Sequence, residues 1–202
     1  MRRAMAMMRV VVAMGLGGAA LGAAGPVRAD DCAGQSVATV SRDGAPLRVE
    51  VRREGSAWQA RVIAARGGDG PWSPLPEVPE HAHLIVAGPD EGGRFAVVRG
   101  GGETDDVRRV LVYGPAKPAS GAGALALLRA YDLAELLTAD ERAKVTRSIS
   151  HLQWLAWPAD GKLPVRLADG VAAVWIEVVG GRAVRIPLDG RALPAPVGPK
   201  SR

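Results

Sequence analysis

The chain carries one cysteine, Cys32, so no intramolecular disulfide can form and the fold must rest on an apolar core. Aromatic residues make up only 4 %, and there are three histidines, which leaves few groups for catalysis or metal binding. The longest apolar run, Val10 to Gly25, falls short of the ~20 residues of a membrane span and is diluted by glycine and alanine. A Gly-x-Ser-x-Gly nucleophile elbow is missing. The glycine-rich runs at 67–70 and 100–102 are not phosphate loops, because no Gly-Lys-Ser/Thr follows them. A clustered basic field is missing as well. Arg52-Arg53 is followed by Glu54, and Arg108-Arg109 follows Glu103, Asp105 and Asp106. Interspersed charge of this kind reads as a solvated face, whereas nucleic acid is bound by clustered cations that displace counterions. Nucleic acid is not an expected partner.

What is present begins with a leader. Met1 to Arg9 holds Arg2, Arg3 and Arg9 and no acid; the apolar run follows; Val27-Arg28-Ala29 then fits a small-x-small cleavage site. This is the pattern of a secretory signal peptide over residues 1–29, with a retained membrane anchor as the competing reading. Cleavage would send the chain to the periplasm or the extracellular space, with no transmembrane span left. The leader contains four of the arginines and none of the acids. What remains is 22 basic residues against 21 acidic ones, a net charge of +1 instead of the +5 of the whole chain. Cys32 lies three residues beyond the expected cleavage. The two aspartates before it argue against lipid modification; a free thiol or a disulfide-linked dimer stays open.

The remainder, 30–192, reads as a single β domain in three strand groups (35–66, 83–131 and 149–188), with a flexible tail over 193–202. In the first group Leu47, Val49 and Val51 alternate with Arg48, Glu50 and Arg52, and Trp58, Ala60 and Val62 continue the alternation after Glu54-Gly55-Ser56. Period-two alternation marks an antiparallel sheet that is wet on one face. Four prolines make the stretch from Gly67 to Pro79 an extended crossover. The second group has short apolar strands around Leu84, Arg94 to Arg99 and Val107 to Tyr113, separated by Gly-rich turns.

Helical signal is confined to the segment near 132–146. Asp132 suits the N-cap of a single turn reaching Leu137, and Thr138-Ala139-Asp140-Glu141 spells a capping box. Leu133, Leu136 and Leu137 form its apolar contact. The third group reads as a four-stranded meander, 149–157, 163–167, 171–179 and 184–188, with tight turns at Asp169-Gly170 and Gly180-Gly181.

The order of a short apolar strand, Asp-Glu-Gly-Gly-Arg-Phe, an acidic Gly-rich loop, Val-Leu-Val-Tyr, Tyr-Asp-Leu-Ala-Glu-Leu-Leu-Thr and Ser-Ile-Ser-His-Leu-Gln-Trp resembles a group of uncharacterised exported bacterial proteins with β-propeller-blade-like repeats. The resemblance covers about residues 75–190 and is most distinctive over Leu136 to Trp154. No activity is known for that group, so it implies no catalytic residues. Three strand groups are too few for the four to eight blades of a closed propeller. The expected fold is therefore all-β, with antiparallel meanders stacked as a sandwich or an incomplete propeller or barrel.

Candidate chemistry is sparse. His81-x-His83 places two imidazoles on one strand face, where zinc or copper could be held, with Glu77 and Glu80 nearby. Ser148, Ser150 and His151, together with Asp132, contain the residue types of a hydrolytic triad, although Ser150 and His151 point to opposite faces of a strand. The loop Glu103 to Asp106 lacks the spacing of a calcium loop. The tryptophans at 58, 72, 154, 157 and 175 are expected mainly in the core. Trp72, between prolines, is the one expected at the surface and the candidate contact residue. The reading is an exported, non-catalytic binding or structural module of the cell envelope. Its expected partner is an envelope protein or a small ligand, and no cofactor is implied. An envelope hydrolase or metal-binding protein using His151 or His81/His83 is the alternative. A pocket lined by His151, Gln153 and Asp132 would favour that alternative, and a flat face around Trp72 the binder.

Overall fold

The computed structural model describes residues 11–12, 37–80, 82–100, 108–116, 124–147, 152–168 and 172–196. Among these residues the chain is all-β apart from two short helices. Strand β1 (Val11–Val12) pairs antiparallel with β2 (Val37–Val40). The alternating stretches form the hairpin β3 (Leu47–Glu54) and β4 (Ala57–Ala64), in register from Leu47↔Ala64 to Glu54↔Ala57. Gly55 turns this hairpin at φ 61°, in the left-handed region that glycine enters without steric cost. The two-residue β5 (Ser73–Pro74) adds to the outer side of β4. Its proline sits on an edge strand, where no donor is missed.

The central sheet comes next: β6 (Leu84–Ala87), β7 (Phe95–Arg99), β8 (Arg108–Pro115) and β9 (Leu125–Asp132), an antiparallel meander. Asp132 then opens α1 (Leu133–Leu136), and Thr138 opens α2 (Ala139–Ala143). The strands β10 (Thr146–Arg147) and β11 (Leu152–Gln153) pair with each other. Finally β12 (Val165–Leu167), β13 (Ala173–Glu177) and β14 (Ala183–Pro187) make an antiparallel C-terminal sheet.

Three sheets are stacked face to face, and two apolar cores share the central one. On one of its faces Leu84, Val86, Phe95, Val97, Leu111 and Tyr113 meet Val49, Trp58, Ala60, Leu75 and Val78 of the N-terminal layer. On the other face Ile85, Ala87, Ala96, Val98, Val110 and Val112 meet Leu136 and Leu137 of the helical segment, and Val174, Ile176, Val184 and Ile186 of the C-terminal sheet. A sheet covered on both faces has no polar side to alternate with. That is why β6 and β8 read as continuous apolar runs while β3 and β4 alternate. The sheets do not close into a barrel among the described residues.

Three local features depart from the sequence reading. Strand β2 does not join the β3–β4 meander; it crosses to the central sheet and pairs parallel with β6, Val37 opposite Leu84 and Val40 opposite Ala87. The second group holds a further strand beyond Val107 to Tyr113: the segment before the helices is the eight-residue edge strand β9. The expected four-stranded C-terminal meander is a three-stranded sheet. Leu152–Gln153 pairs with Thr146–Arg147, and only the bridge Leu155↔Val178 continues the segment along β13. Pro158 and the turn at Gly161 divert the chain before β12 begins.

The Pro-rich crossover is more ordered than its composition suggests. Leu75 and Val78 are buried in the core it borders. Trp58 Nε1 donates to the Pro79 carbonyl at 2.9 Å, and the Tyr113 hydroxyl donates to the Pro76 carbonyl. The loop thereby ties the N-terminal sheet to the central one. No helix among the described residues is long and apolar enough to cross a membrane.

Candidate functional site

Asp132, the acid of the suspected triad, is engaged as a helix cap. Its Oδ1 accepts from the backbone N–H groups of Ala134 and Glu135 at 2.7 and 3.0 Å, while Glu135 reaches back to the Asp132 N–H at 3.2 Å. Those bonds satisfy orphan donors of the first turn of α1. His83 is half-buried at the entrance of β6, where its carbonyl accepts from Gly100 N–H at 3.0 Å. His81, Ser148, Ser150, His151, Cys32 and the acidic stretch Glu103 to Asp106 lie outside the described residues. Among the described residues no group of three or more His, Cys, Asp or Glu side chains is gathered as a metal site would require.

Trp72 is placed by the strand next to it. Ser73 of β5 pairs with Ala60 and faces inward, so Trp72 falls beside Arg61 on the outer face of the N-terminal sheet. The indole ring lies against two guanidiniums, with the Arg52 carbon 4.2 Å and the Arg61 carbon 4.7 Å from its centroid. Each arginine is held in turn. Arg52 donates to Gln59 Oε1 at 2.8 Å and to Glu54 at 3.1 Å, and Arg61 reaches Glu50 and Asp69 at 2.7 Å each. The ring is therefore half-buried instead of projecting freely. The result is an outer sheet face with an aromatic ring set among paired charges. Cation–π contacts of this kind add about 0.5–1 kcal/mol each at exposed sites, enough to fix the ring orientation.

The most exposed tryptophan is a different one. Trp157 is 49 % exposed, although the tryptophans other than Trp72 were expected to be mainly core. It borders a shallow depression of about 290 Å³ lined by Lys144, Thr146, Gln153, Val179 and Gly180. Gln153 is thus at a concave surface, as the enzyme reading requires, but Asp132 is not among the lining residues. By contrast, Trp154 is fully buried and donates from Nε1 to the Arg99 carbonyl at 2.8 Å, joining this segment to the central sheet.

The burial of two arginines was missed by sequence reasoning. Arg109, read as part of a solvated face, is fully buried, and so is Arg99. The register between β8 and β9 skips a residue at Arg109, between Arg108↔Asp132 and Val110↔Tyr131. A bulge re-aims side chains, and no composition signal locates one. Arg99 donates from a terminal nitrogen to the Arg108 carbonyl at 2.8 Å. The two tyrosines are buried as well. Tyr131 donates to the Arg191 carbonyl at 2.6 Å, and its burial pushes the phenol up to about 12; burial also raises Tyr113. Comparison with protein families, with characterised proteins and with solved structures finds no match to this chain.

Proposed function

We propose that this chain is an exported, non-catalytic binding or assembly module of the cell envelope, and that it makes contact through the outer face of the N-terminal sheet around Trp72. The observation that carries the reading is the arrangement of Trp72 against Arg52 and Arg61 on the outer face of the sheet. An aromatic ring held in place by charges loses little freedom on contact, which is the property of a good anchor residue. The capped carboxylate of Asp132 supports the same side of the argument, because a hydrolase built on it would have to give up its helix cap. Export to the periplasm or the extracellular space rests on the leader pattern, and the resemblance to exported proteins with blade-like repeats belongs to the same reading.

The test is recovery of partners from an envelope extract on immobilised protein, with Trp72→Ala in parallel. The expected result is a partner retained by the wild type and lost by the variant at unchanged melting temperature. Equal recovery by both proteins would remove Trp72 from the contact surface. Expression of the full chain with a C-terminal tag should place it outside the cytoplasm with its N-terminus near residue 30; an intact N-terminus in the cytoplasm would contradict export.

A further inference from the structure

The outer face of the C-terminal sheet carries a cross-strand row of Arg166, Trp175 and Arg185. Trp175 on β13 stands directly opposite Arg166 on β12 and Arg185 on β14. Both arginines are exposed, and Trp175 is half-buried between them. The Arg166 guanidinium carbon lies 5.5 Å from the indole centroid. Val174 and Ile176, on either side of Trp175, point into the core, so the row faces solvent.

This row differs from the Trp72 face in one respect. Arg48, Arg52, Arg53 and Arg61 of the N-terminal sheet are all matched with carboxylates: Glu50, Glu54, Glu80, and the pair Glu50 and Asp69. Arg166 and Arg185 form no ion pair with any of the described residues. The N-terminal face is thus electrostatically self-satisfied, whereas the C-terminal row presents two guanidiniums aligned on either side of an aromatic ring. Among the described residues of these three strands the one acid on the same face is Glu177, two residues along β13 and opposite Ala183.

We propose that this row binds an anionic sugar chain, with Trp175 as the stacking surface for a sugar ring and Arg166 and Arg185 as clamps for its charged substituents. Neighbouring strands lie about 4.8 Å apart, so the backbones that carry the two arginines stand roughly 10 Å apart, one on each side of Trp175. A guanidinium presents a planar fork that matches carboxylate and phosphate oxygens two at a time. The Glu177 carboxylate repels any anionic group set next to it, so the charged substituents fall to the two arginines while Glu177 accepts hydrogen bonds from sugar hydroxyls, which a chain of closely spaced phosphates offers less readily. The site is on the opposite outer face of the stack from Trp72 and stands independently of it.

The test is calorimetric titration of the full chain with four probes: a uronate oligosaccharide, its methyl-esterified neutral form, a phosphorylated oligosaccharide, and a single-stranded DNA oligomer. Binding of the uronate or the phosphorylated chain, with none of the esterified form, supports the site. Which of the two binds identifies the anionic group. Arg166→Gln and Arg185→Gln should each weaken binding about tenfold or more, the scale of one lost charge-assisted contact. Both residues are exposed, so the variants should keep the wild-type melting temperature. Trp175→Phe should weaken binding while retaining some of it, and Arg66→Gln, an equal charge change on the N-terminal layer, should leave it intact. The proposal is overturned by absence of binding to any probe, by equal binding of the esterified form, by preference for DNA, or by Arg66→Gln matching Arg166→Gln.

Discussion

Arg182 forks onto Glu141. Its Nε donates to one carboxylate oxygen at 2.7 Å and a terminal nitrogen donates to the other at 2.6 Å. The same terminal nitrogen reaches the Leu136 carbonyl at 2.7 Å. Glu141 also closes the capping box of α2, accepting from Thr138 N–H at 2.8 Å while Thr138 Oγ1 accepts from Glu141 N–H at 3.2 Å. One carboxylate, 7 % exposed, thus fastens a five-residue helix both to its own cap and to the β13–β14 turn. A helix that short has little stability of its own, so this pair and the burial of Leu136 and Leu137 maintain the join between the central and C-terminal sheets.

Arg182→Ala should therefore cost about 3 kcal/mol in urea unfolding, because it leaves a largely buried carboxylate without its fork. Thr138→Ala should cost about 1 kcal/mol, the usual loss for a cap. The double variant should lose less than the sum, since both partners act on Glu141. Strict additivity would show that cap and ion pair are independent.

Acid should expose the same pair. The hydrogen bonds from Arg182, foremost, hold the Glu141 carboxyl below the usual carboxylate range. Its stabilising effect is complete above the pKa of the unfolded chain, about 4.3, and is lost as pH falls through the lower folded value. Melting curves from about pH 7 to about pH 3 should show a steeper decline for the wild type than for Glu141→Gln. Parallel declines would rule out Glu141 as a source of acid sensitivity.

Alkali should act through the tyrosines, of which there are two. Burial raises both phenols, that of Tyr131 up to about 12. The neutral forms stabilise the fold fully below the unfolded value of about 10, and that contribution disappears as pH rises towards the folded values. Phenolate absorbance should stay low past about pH 10 and then rise together with loss of the circular dichroism signal of the sheets. Independent titration of a native fold near pH 10 would contradict the burial.

Glycine positions give a matched pair of tests. Gly88 has φ 130°, and an added Cβ would meet Phe95 Cβ at 2.9 Å and its Cα at 3.0 Å. Gly55 has φ 61° with nothing within 4 Å of an added Cβ. Gly88→Ala should cost roughly 2–4 kcal/mol from strain and overpacking together, whereas Gly55→Ala should cost only about 1–2 kcal/mol for the left-handed backbone. Equal losses would mean that the Phe95 contact relaxes without cost.

Features legible in the sequence are those set by neighbours along the chain. The β3–β4 hairpin follows from strict alternation and a glycine turn, and both helix starts follow from Asp132 and Thr138, each with a glutamate three residues on. All-β character follows from the many short runs with period two. Contacts between distant segments were not legible. The parallel pairing of Val37–Val40 with β6 satisfies one edge of the central sheet and leaves no mark in local periodicity. The same holds for Arg109, whose burial depends on one skipped residue in the β8–β9 register, and for the exposure of Trp157 while Trp154, three residues earlier, is buried. In the Arg166–Trp175–Arg185 row only Trp175 was singled out in the sequence, as a core residue, because its neighbours there come from two other strands.

The sequence by itself therefore determined the all-β class, the two helix caps and the glycine turn of the β3–β4 hairpin, because each is a balance of backbone propensity and hydrogen bonding within a few residues. Tertiary structure alone decided that three sheets share two cores, which arginines are buried, and which tryptophans meet solvent. Those outcomes depend on which apolar faces find each other across the fold, and a side chain's burial is set by what packs against it from elsewhere in the chain.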